Sequence, residues 1–322
     1  MADAAPEVIY GAAGVGGLST EDLSQKLKIL QKHNVKALDT AFTYPESEAA
    51  LGKQGAPHHF VIHTKAPALK RGIMAKKSVL DGMEKSLKDL NVETVELYYL
   101  HGPDPATPIE ETLSAIQEIY AAAKFKRFGV SNFSLREVQQ IYDIQLRANS
   151  VLPSVYQGNY NAVARHIEAD LFPLLRKLQI SFYAYSPIAG GFLVKESAQV
   201  RSRDIEGRFN GKSPVGDMYN VLYGKESMYQ ALDEWGEIAK GAGISKASLA
   251  YRWITYHSAL DKKYGDGLII GAGKNSQLEE TLTLIEAGPL DVKTAGQAGA
   301  IWEKVRDDAP RDNWSDYLVQ KV

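Results

Sequence analysis

Short, almost continuous apolar runs alternate along the chain with longer segments in which apolar residues recur every three or four positions. The runs are Val8 to Tyr10, Ala37 to Asp39, Phe60 to Thr64, Val95 to Leu100, Arg127 to Val130, Ser154 to Tyr156, Ser181 to Tyr185 and Leu268 to Ile270. Helical periodicity marks Glu21 to His33, Lys77 to Leu90, Ile109 to Ala123, Leu135 to Ala148, Leu171 to Leu178, Met228 to Ala242 and Leu278 to Ala287. Parallel strands covered by helices read as continuous apolar runs, and eight strand–helix units close on themselves. The pattern therefore predicts an α/β chain folded as a (β/α)8 TIM barrel. No Pro/Gly/Ser-rich linker, low-complexity stretch or internal repeat divides it, so one domain over residues 1–322 is expected. From about Ile188 to Glu226 the rhythm breaks into a long irregular piece with AGGF, GRFNGKSPVGD and several tyrosines. A connection of that length inside a compact domain suits a lid or binding loop.

Composition narrows the function classes. The 322 residues are 44 % apolar, enough for a substantial core, and the net charge of −2 is scattered along the chain. No basic stripe favours nucleic acid or an anionic membrane surface, so a small or neutral ligand is expected. Cysteine is absent, which excludes disulfides, thiolate metal sites and a cysteine nucleophile, and fits a reducing compartment. The opening MADAAPEVIYG lacks the basic–apolar–small order of a secretory signal, and no apolar run approaches the roughly 20 residues of a membrane helix. A cytoplasmic protein is expected.

Barrel enzymes assemble their sites from the loops at strand C-termini, and four chemistry-bearing residues fall there. Asp39 ends the second strand, Tyr44 lies in the loop behind it, Lys65 ends the third strand and His101 ends the fourth. Each alone has an ordinary alternative: a helix cap, a packed aromatic, a solvated tip, a core imidazole. Together they suit proton delivery to a carbonyl oxygen while a hydride reaches the carbon. A free phenol has a pKa of about 10, and a nearby ammonium is expected to bring it toward the working range. Lys65 supplies that charge, Asp39 keeps Lys65 protonated, and His101 bonds the substrate oxygen or shares in the proton transfer. The glycines of GAAGVGG have the wrong spacing for a dinucleotide fingerprint and read as a flexible loop. No H-E-x-x-H occurs among the histidines, so no metal is assigned.

The motifs LDTAFTYPESEAALG, VIHTKA, LYYLHGPDP, FGVSNFS, VYQGNYN, FYAYSPIAGGF, GRF and IIGAGKNSQLEETL span nearly the whole chain. With them the sequence resembles the aldo-keto reductases, most of all the branch of the aflatoxin-aldehyde and succinic-semialdehyde reductases. The resemblance implies Asp39, Tyr44, Lys65 and His101 as a catalytic tetrad, with Tyr44 the proton donor. It implies NADPH bound in extended form across the barrel mouth. Ser131, Asn132 and Gln157 would hold the nicotinamide carboxamide, and Tyr185 would stack on the ring. Ser186, Pro187, Ile188, Gly190, Gly191 and Lys195 would follow the pyrophosphate, with Arg208 in a long cofactor-covering loop after the seventh strand. Lys274, Asn275, Gln277 and Glu280 would surround the adenosine end, Asn275 also capping the helix that follows. A C-terminal helical tail would shape the substrate pocket. Pro45 and Glu46 stand where relatives often carry glycine, and GAGKNSQ has glycine and lysine where the branch more often has methionine and serine.

The function implied is NADPH-dependent reduction of aldehydes, or of ketones or dicarbonyls, by a monomer or homodimer acting on small carbonyl substrates. The alternatives are a cofactor-binding partner protein like the ion-channel β subunits that share this fold, and an isomerase or lyase using the same barrel mouth.

Overall fold

The computed structural model describes residues 5–205 and 207–313. Eight parallel strands form a closed barrel in sequential order, β8 pairing back onto β1. They are β1 (Glu7–Gly11), β2 (Ala37–Asp39), β3 (Val61–Lys65), β4 (Val95–Leu100), β5 (Phe125–Ser131), β6 (Pro153–Asn159), β7 (Ser181–Tyr185) and β8 (Gly267–Ile270). Around them lie α1 (Thr20–Lys32), α2 (Ser47–Lys53), α3 (Lys76–Leu90), α4 (Ile109–Ala121), α5 (Leu135–Arg147) and α6 (Leu171–Lys177). Between β7 and β8 come α7 (Ser197–Ser202), α8 (Pro214–Tyr223), α9 (Glu226–Gly241) and α10 (Lys246–Tyr256). After β8 come α11 (Asn275–Glu286), α12 (Val292–Ala300) and α13 (Trp302–Val305), the last two forming the C-terminal helical tail. The tail from residue 314 onward lies outside the described residues.

Alternation along each strand divides the apolar residues into two cores. Tyr10, Leu38, Tyr98, Phe128, Phe182 and Leu268 face outward and join the layer between strands and helices. Ile9, Ala37, Leu97, Tyr99, Val155, Tyr183 and Ile269 face inward and fill the barrel. The same parity puts Asp39, Lys65, Ser131, Gln157 and Tyr185 on inward positions at the C-terminal strand ends. At the opposite end buried Asp266 pins β7, β8 and α6 together. Its carboxylate accepts from Arg176 Nη1 at 2.8 Å, from Phe182 N at 2.8 Å and from Asp261 N at 2.9 Å. The helix starts follow their caps: Ser19 accepts from Asp22 N at 3.0 Å, and Ser134 with Glu137 forms a capping box.

The segment after β7 and helix α10 depart from the sequence pattern. The piece from Ile188 to Glu226 is not irregular: it carries a 3-10 turn at Ala189–Val194, then α7 and α8. Its aromatic residues pack on one another, with Phe192 and Tyr223 stacked at 5.6 Å between centroids and Phe209 against Tyr219 at 5.6 Å. Helix α10 carried no readable period because Leu249, Ala250, Tyr251, Trp253 and Ile254 are all buried, leaving too little polar face to mark one.

The GAAGVGG segment leaves β1 as a loop with one 3-10 turn. Its Val15–Gly17 turn packs against the residues behind Tyr44, and a Cβ on Gly16 would fall 2.1 Å from the Pro45 carbonyl oxygen. Glycine is the residue that permits this contact. Gly16→Ala is therefore expected to push the Pro45–Glu46 turn outward and to cost about 1–3 kcal/mol of stability, measured by urea denaturation. Unchanged stability would show that the contact relaxes freely.

Candidate active site

Asp39 and Lys65 meet inside the barrel mouth, their side chains 3 % and 0 % exposed, with Lys65 Nζ donating to Asp39 Oδ1. The ammonium also donates to the Thr40 carbonyl at 2.7 Å. It lies between two aromatic rings, 5.1 Å from the Tyr44 centroid and 5.6 Å from that of Tyr99. Burial works to lower the Lys65 pKa, but the carboxylate and the phenol outweigh it and hold Lys65 charged. Burial pushes the Asp39 carboxyl upward, opposed by Lys65 and by the Gln157 amide, whose Nε2 donates to Asp39 Oδ2 at 2.8 Å.

Tyr44 sits in a tight loop fixed by local bonds. Its N–H donates to Ala41 O at 3.0 Å and its carbonyl accepts from Ser47 N at 3.1 Å. Ser47 Oγ donates to Ala12 O at 2.8 Å and contacts Thr40 Oγ1 at 2.8 Å. The departure from the family's glycine is accommodated at Glu46, which adopts the left-handed conformation with φ 55°. Burial raises the Tyr44 phenol above its ordinary value. Lys65 pulls it down, Asp39 raises it, and Arg208 adds a smaller downward pull. The net direction is upward, opposite to the expectation from the ammonium alone, because that expectation left out desolvation.

His101 completes the cluster, its ring edge-on to Tyr44 at 5.6 Å and 83°. Burial and the Lys65 charge depress its pKa well below the ordinary range, so the imidazole is neutral. Thr43 Oγ1 lies 3.1 Å from its Nδ1, and the His101 carbonyl accepts from Asn132 Nδ2 at 2.9 Å. Asn132, itself left-handed with φ 64°, donates to Ser131 Oγ at 3.0 Å and accepts from the Tyr185 hydroxyl at 2.7 Å. Ser131, Asn132, Gln157 and Tyr185 thus belong to one network with the tetrad.

The turn after β7 has the backbone for close approach of a ligand. Ser186, Ala189, Gly190 and Gly191 all have positive φ, and a Cβ at Gly191 would meet nothing within 4 Å. The Lys195 carbonyl accepts from Lys246 Nζ at 2.8 Å, and Arg208 Nη1 donates to the Tyr219 hydroxyl at 2.8 Å. Around the α11 start, Lys274 N donates to Gln277 Oε1 at 3.1 Å. Asn275 is not the cap as expected: Lys274 holds that position, and Asn275 Nδ2 instead donates to Asp22 O of α1 at 3.0 Å. The competing acceptor on α1 is a tertiary contact that the local pattern does not contain. Glu280 is exposed on α11. This group binds α1 and stands apart from the tetrad network.

Several polar and aromatic contacts around the barrel mouth escaped sequence reasoning. Thr43 and Tyr99 lie against the tetrad; inward parity on β4 would have indicated Tyr99. Asp104 accepts from Gly72 N at 3.0 Å, Met74 N at 3.1 Å, Ala106 N at 3.0 Å and Thr107 Oγ1 at 2.8 Å, tying the loop after β3 to the loop after His101. Buried Lys26 of α1 reaches the Ala272 carbonyl at 3.3 Å. A cleft of about 470 Å³ beside α8 and the tail, lined by Leu222, Lys225, Asp308 and Pro310 among others, includes no tetrad residue, so the chemistry and not cavity size locates the site. No group of His, Asp or Glu able to hold a metal occurs among the described residues, and no described helix is long and apolar enough to cross a membrane.

The closed parallel barrel gathers a buried ion pair, a phenol and an imidazole at its C-terminal mouth, and the family and relatives of the chain make it an oxidoreductase acting on carbonyl groups. The model of the aldo/keto reductase family matches residues 7–303, and the chain belongs to that family. It is 38 % identical over 319 residues to oxidoreductase sirO of Leptosphaeria maculans, covering 95 % of this chain and 96 % of that protein. It is 36 % identical over 292 residues to human aflatoxin B1 aldehyde reductase member 2, covering 85 % and 79 %. Human aldo-keto reductase family 7 member A3 is 34 % identical over 330 residues, covering 96 % and 98 %. The chain is an NAD(P)-dependent oxidoreductase of carbonyl compounds.

Lys65→Met removes the counter-charge of a buried carboxylate and should cost about 3–5 kcal/mol near neutrality. Without the downward pull of Lys65, burial raises the Asp39 pKa above its native-fold value, so the penalty relative to the native protein grows as pH rises from the native Asp39 pKa to the higher one of the variant. Urea denaturation of variant and native protein should differ more at alkaline than at acid pH. An equal gap at both would mean that Asp39 does not carry the charge.

Proposed function

We propose that this protein reduces aldehydes, and also ketones or dicarbonyls, to alcohols with NADPH, Tyr44 delivering the proton. The observation that carries this is the buried Lys65 ammonium, paired with Asp39 and 5.1 Å from the centroid of the Tyr44 ring. An ammonium there favours the phenolate left after proton donation, offsetting part of the burial that opposes it. Neutral His101 can hydrogen-bond the substrate oxygen without adding a charge that would compete with Lys65. The names of the aflatoxin-aldehyde reductases support an aldehyde as substrate.

The residues fit a nicotinamide dinucleotide. Ser131, Asn132 and Gln157 supply hydroxyl and amide groups beside the tetrad, and the Tyr185 ring is held by its bond to Asn132. The turn from Ser186 through Pro187, Ile188, Gly190 and Gly191 to Lys195 offers accessible backbone for the pyrophosphate, with Arg208 nearby. Lys274, Asn275, Gln277 and Glu280 at the α11 start suit the adenosine end. The bound nicotinamide supplies the hydride. Tyr44, Lys65 and His101 then control the proton at the substrate oxygen. A cytoplasmic monomer or homodimer working on small carbonyl compounds is part of the same proposal.

Loss of NADPH absorbance with a panel of aldehydes tests the activity; no turnover with any of them would instead favour a cofactor-binding partner protein. Tyr44→Phe should lower turnover by about 10²–10⁴-fold or more while the Kd for NADPH stays near the native value. Normal turnover by this variant would remove Tyr44 from the mechanism. For the cofactor's second phosphate, Lys274→Ala should raise the KM for NADPH about ten- to hundredfold and leave that for NADH almost unaltered. Parallel changes in both constants would show that Lys274 does not read the phosphate.

A further inference from the structure

Strands β2 and β6 stand four apart in an eight-stranded ring, on opposite sides of the barrel. Gln157 of β6 nonetheless reaches Asp39 of β2, its Nε2 lying 2.8 Å from Oδ2. Both residues are almost fully buried, at 4 % and 2 % exposure. The amide can face Asp39 only through nitrogen, since an oxygen there would repel the carboxylate. Among the described residues, the donors to this carboxylate are Lys65 at Oδ1 and Gln157 at Oδ2. Each oxygen has its own partner, which leaves the carboxylate one orientation.

We propose that Gln157 is a positioning residue: by holding Oδ2 from across the barrel it keeps Asp39 ionised and turned toward Lys65. The proposal rests on the reading of Tyr44, Lys65 and Asp39 given above, and differs from a role for Gln157 as a cofactor contact only. The groups facing the pair are Lys65 and His63 on β3, Tyr99 on β4, and Tyr44 and His101 at the mouth. Arg127 and Tyr183 lie deeper in the barrel, bonded to each other at 3.3 Å. His63 is neutral through the working range, its pKa pushed down to about 3 by burial and by the charges of Arg127 and Lys65. The tyrosines there are raised by burial. Of the two described donors bonded to the carboxylate, Gln157 is the uncharged one, and it holds the oxygen that Lys65 does not.

A hydrogen bond to an ionised group lowers an acid's pKa, so its loss lets Asp39 take a proton at higher pH. Lys65 would then lose its counter-charge and Tyr44 the ammonium that favours its phenolate. The test uses the full chain carrying Gln157→Met, which keeps the volume and removes the donor. Turnover of an aldehyde with saturating NADPH is followed across about pH 5 to 9, with the Kd for NADPH measured by fluorescence. The acid limb of kcat should move upward by about one to two pH units. An unmoved limb overturns the proposal, and weaker NADPH binding with an unmoved limb marks Gln157 as a cofactor contact alone.

A second readout does not depend on activity. The stability gap between Gln157→Met and the native protein should widen as pH rises from the native Asp39 pKa to the higher one of the variant, because over that range the carboxyl is ionised in the native fold and still protonated in the variant. In an Asp39→Asn background that pH dependence should vanish; its persistence overturns the proposal. Gln157→Leu, which also removes the donor and adds no charge, serves as the second variant and should show the same upward limb. Tyr44→Phe separates the failures: if it retains turnover, the proton-donor reading is wrong, whereas if it is inactive and Gln157→Met keeps a native profile, only the role of Gln157 is wrong.

Discussion

The ion pair between Asp39 and Lys65 is the constraint around which the barrel mouth is organised. Neither charge has access to water, and burying two ions is repaid only when their remaining hydrogen-bonding capacity is met. Here the ammonium has the Thr40 carbonyl and two tyrosine faces, and the carboxylate has Gln157. Those partners come from β4, β6 and the loop after β2, and the pair itself from β2 and β3, so it is satisfied only when the barrel is closed. The chemistry of the mouth and the closure of the fold therefore stand or fall together.

Around the pair the loops are held by polar side chains, not by apolar packing alone. Ser47 ties the Tyr44 loop to the loop after β1. Glu48, buried on α2, accepts from Thr64 Oγ1 at 2.5 Å and from Ser86 Oγ at 3.0 Å, which fastens the same loop to β3 and α3. Asp104 joins the third and fourth loops, and Asn132 joins the fifth to His101 and to Tyr185. A site on loops gains precision when such second partners remove the freedom of its side chains. The long segment after β7 follows the same logic with aromatic residues, its tyrosines and phenylalanines packed into a ring cluster that fixes two short helices.

Much of this was legible from local pattern. All eight strands were marked by apolar runs, several to the residue, since a strand covered by helices has no polar face to blur its ends. Strand ends in turn located Asp39, Lys65 and His101, whereas Ser131, Gln157 and Tyr185 came only from the family resemblance, and the structure puts all three on inward positions. Helices with one wet face were equally readable. Helix α10 was not, because burial on nearly all sides erases the period. Helix α8 was hidden by the glycine and proline in and around it, whose local preference for loops is overridden by the packing of Phe209, Tyr219 and Tyr223, and α7, six residues long, is too short to show a period.

What the sequence by itself determined is the periodicity of the elements and the chemical type at each strand end, because both are properties of neighbours in the chain. What only the tertiary structure decided is the partner of each polar group. Gln157 bonds Asp39, which lies 118 residues away in the chain. Asn275 leaves its expected cap for a carbonyl of α1. The Tyr44 phenol is raised where a neighbouring ammonium alone would lower it. Hydrogen bonding and desolvation depend on distance and on access to water, and closing the ring of strands sets both.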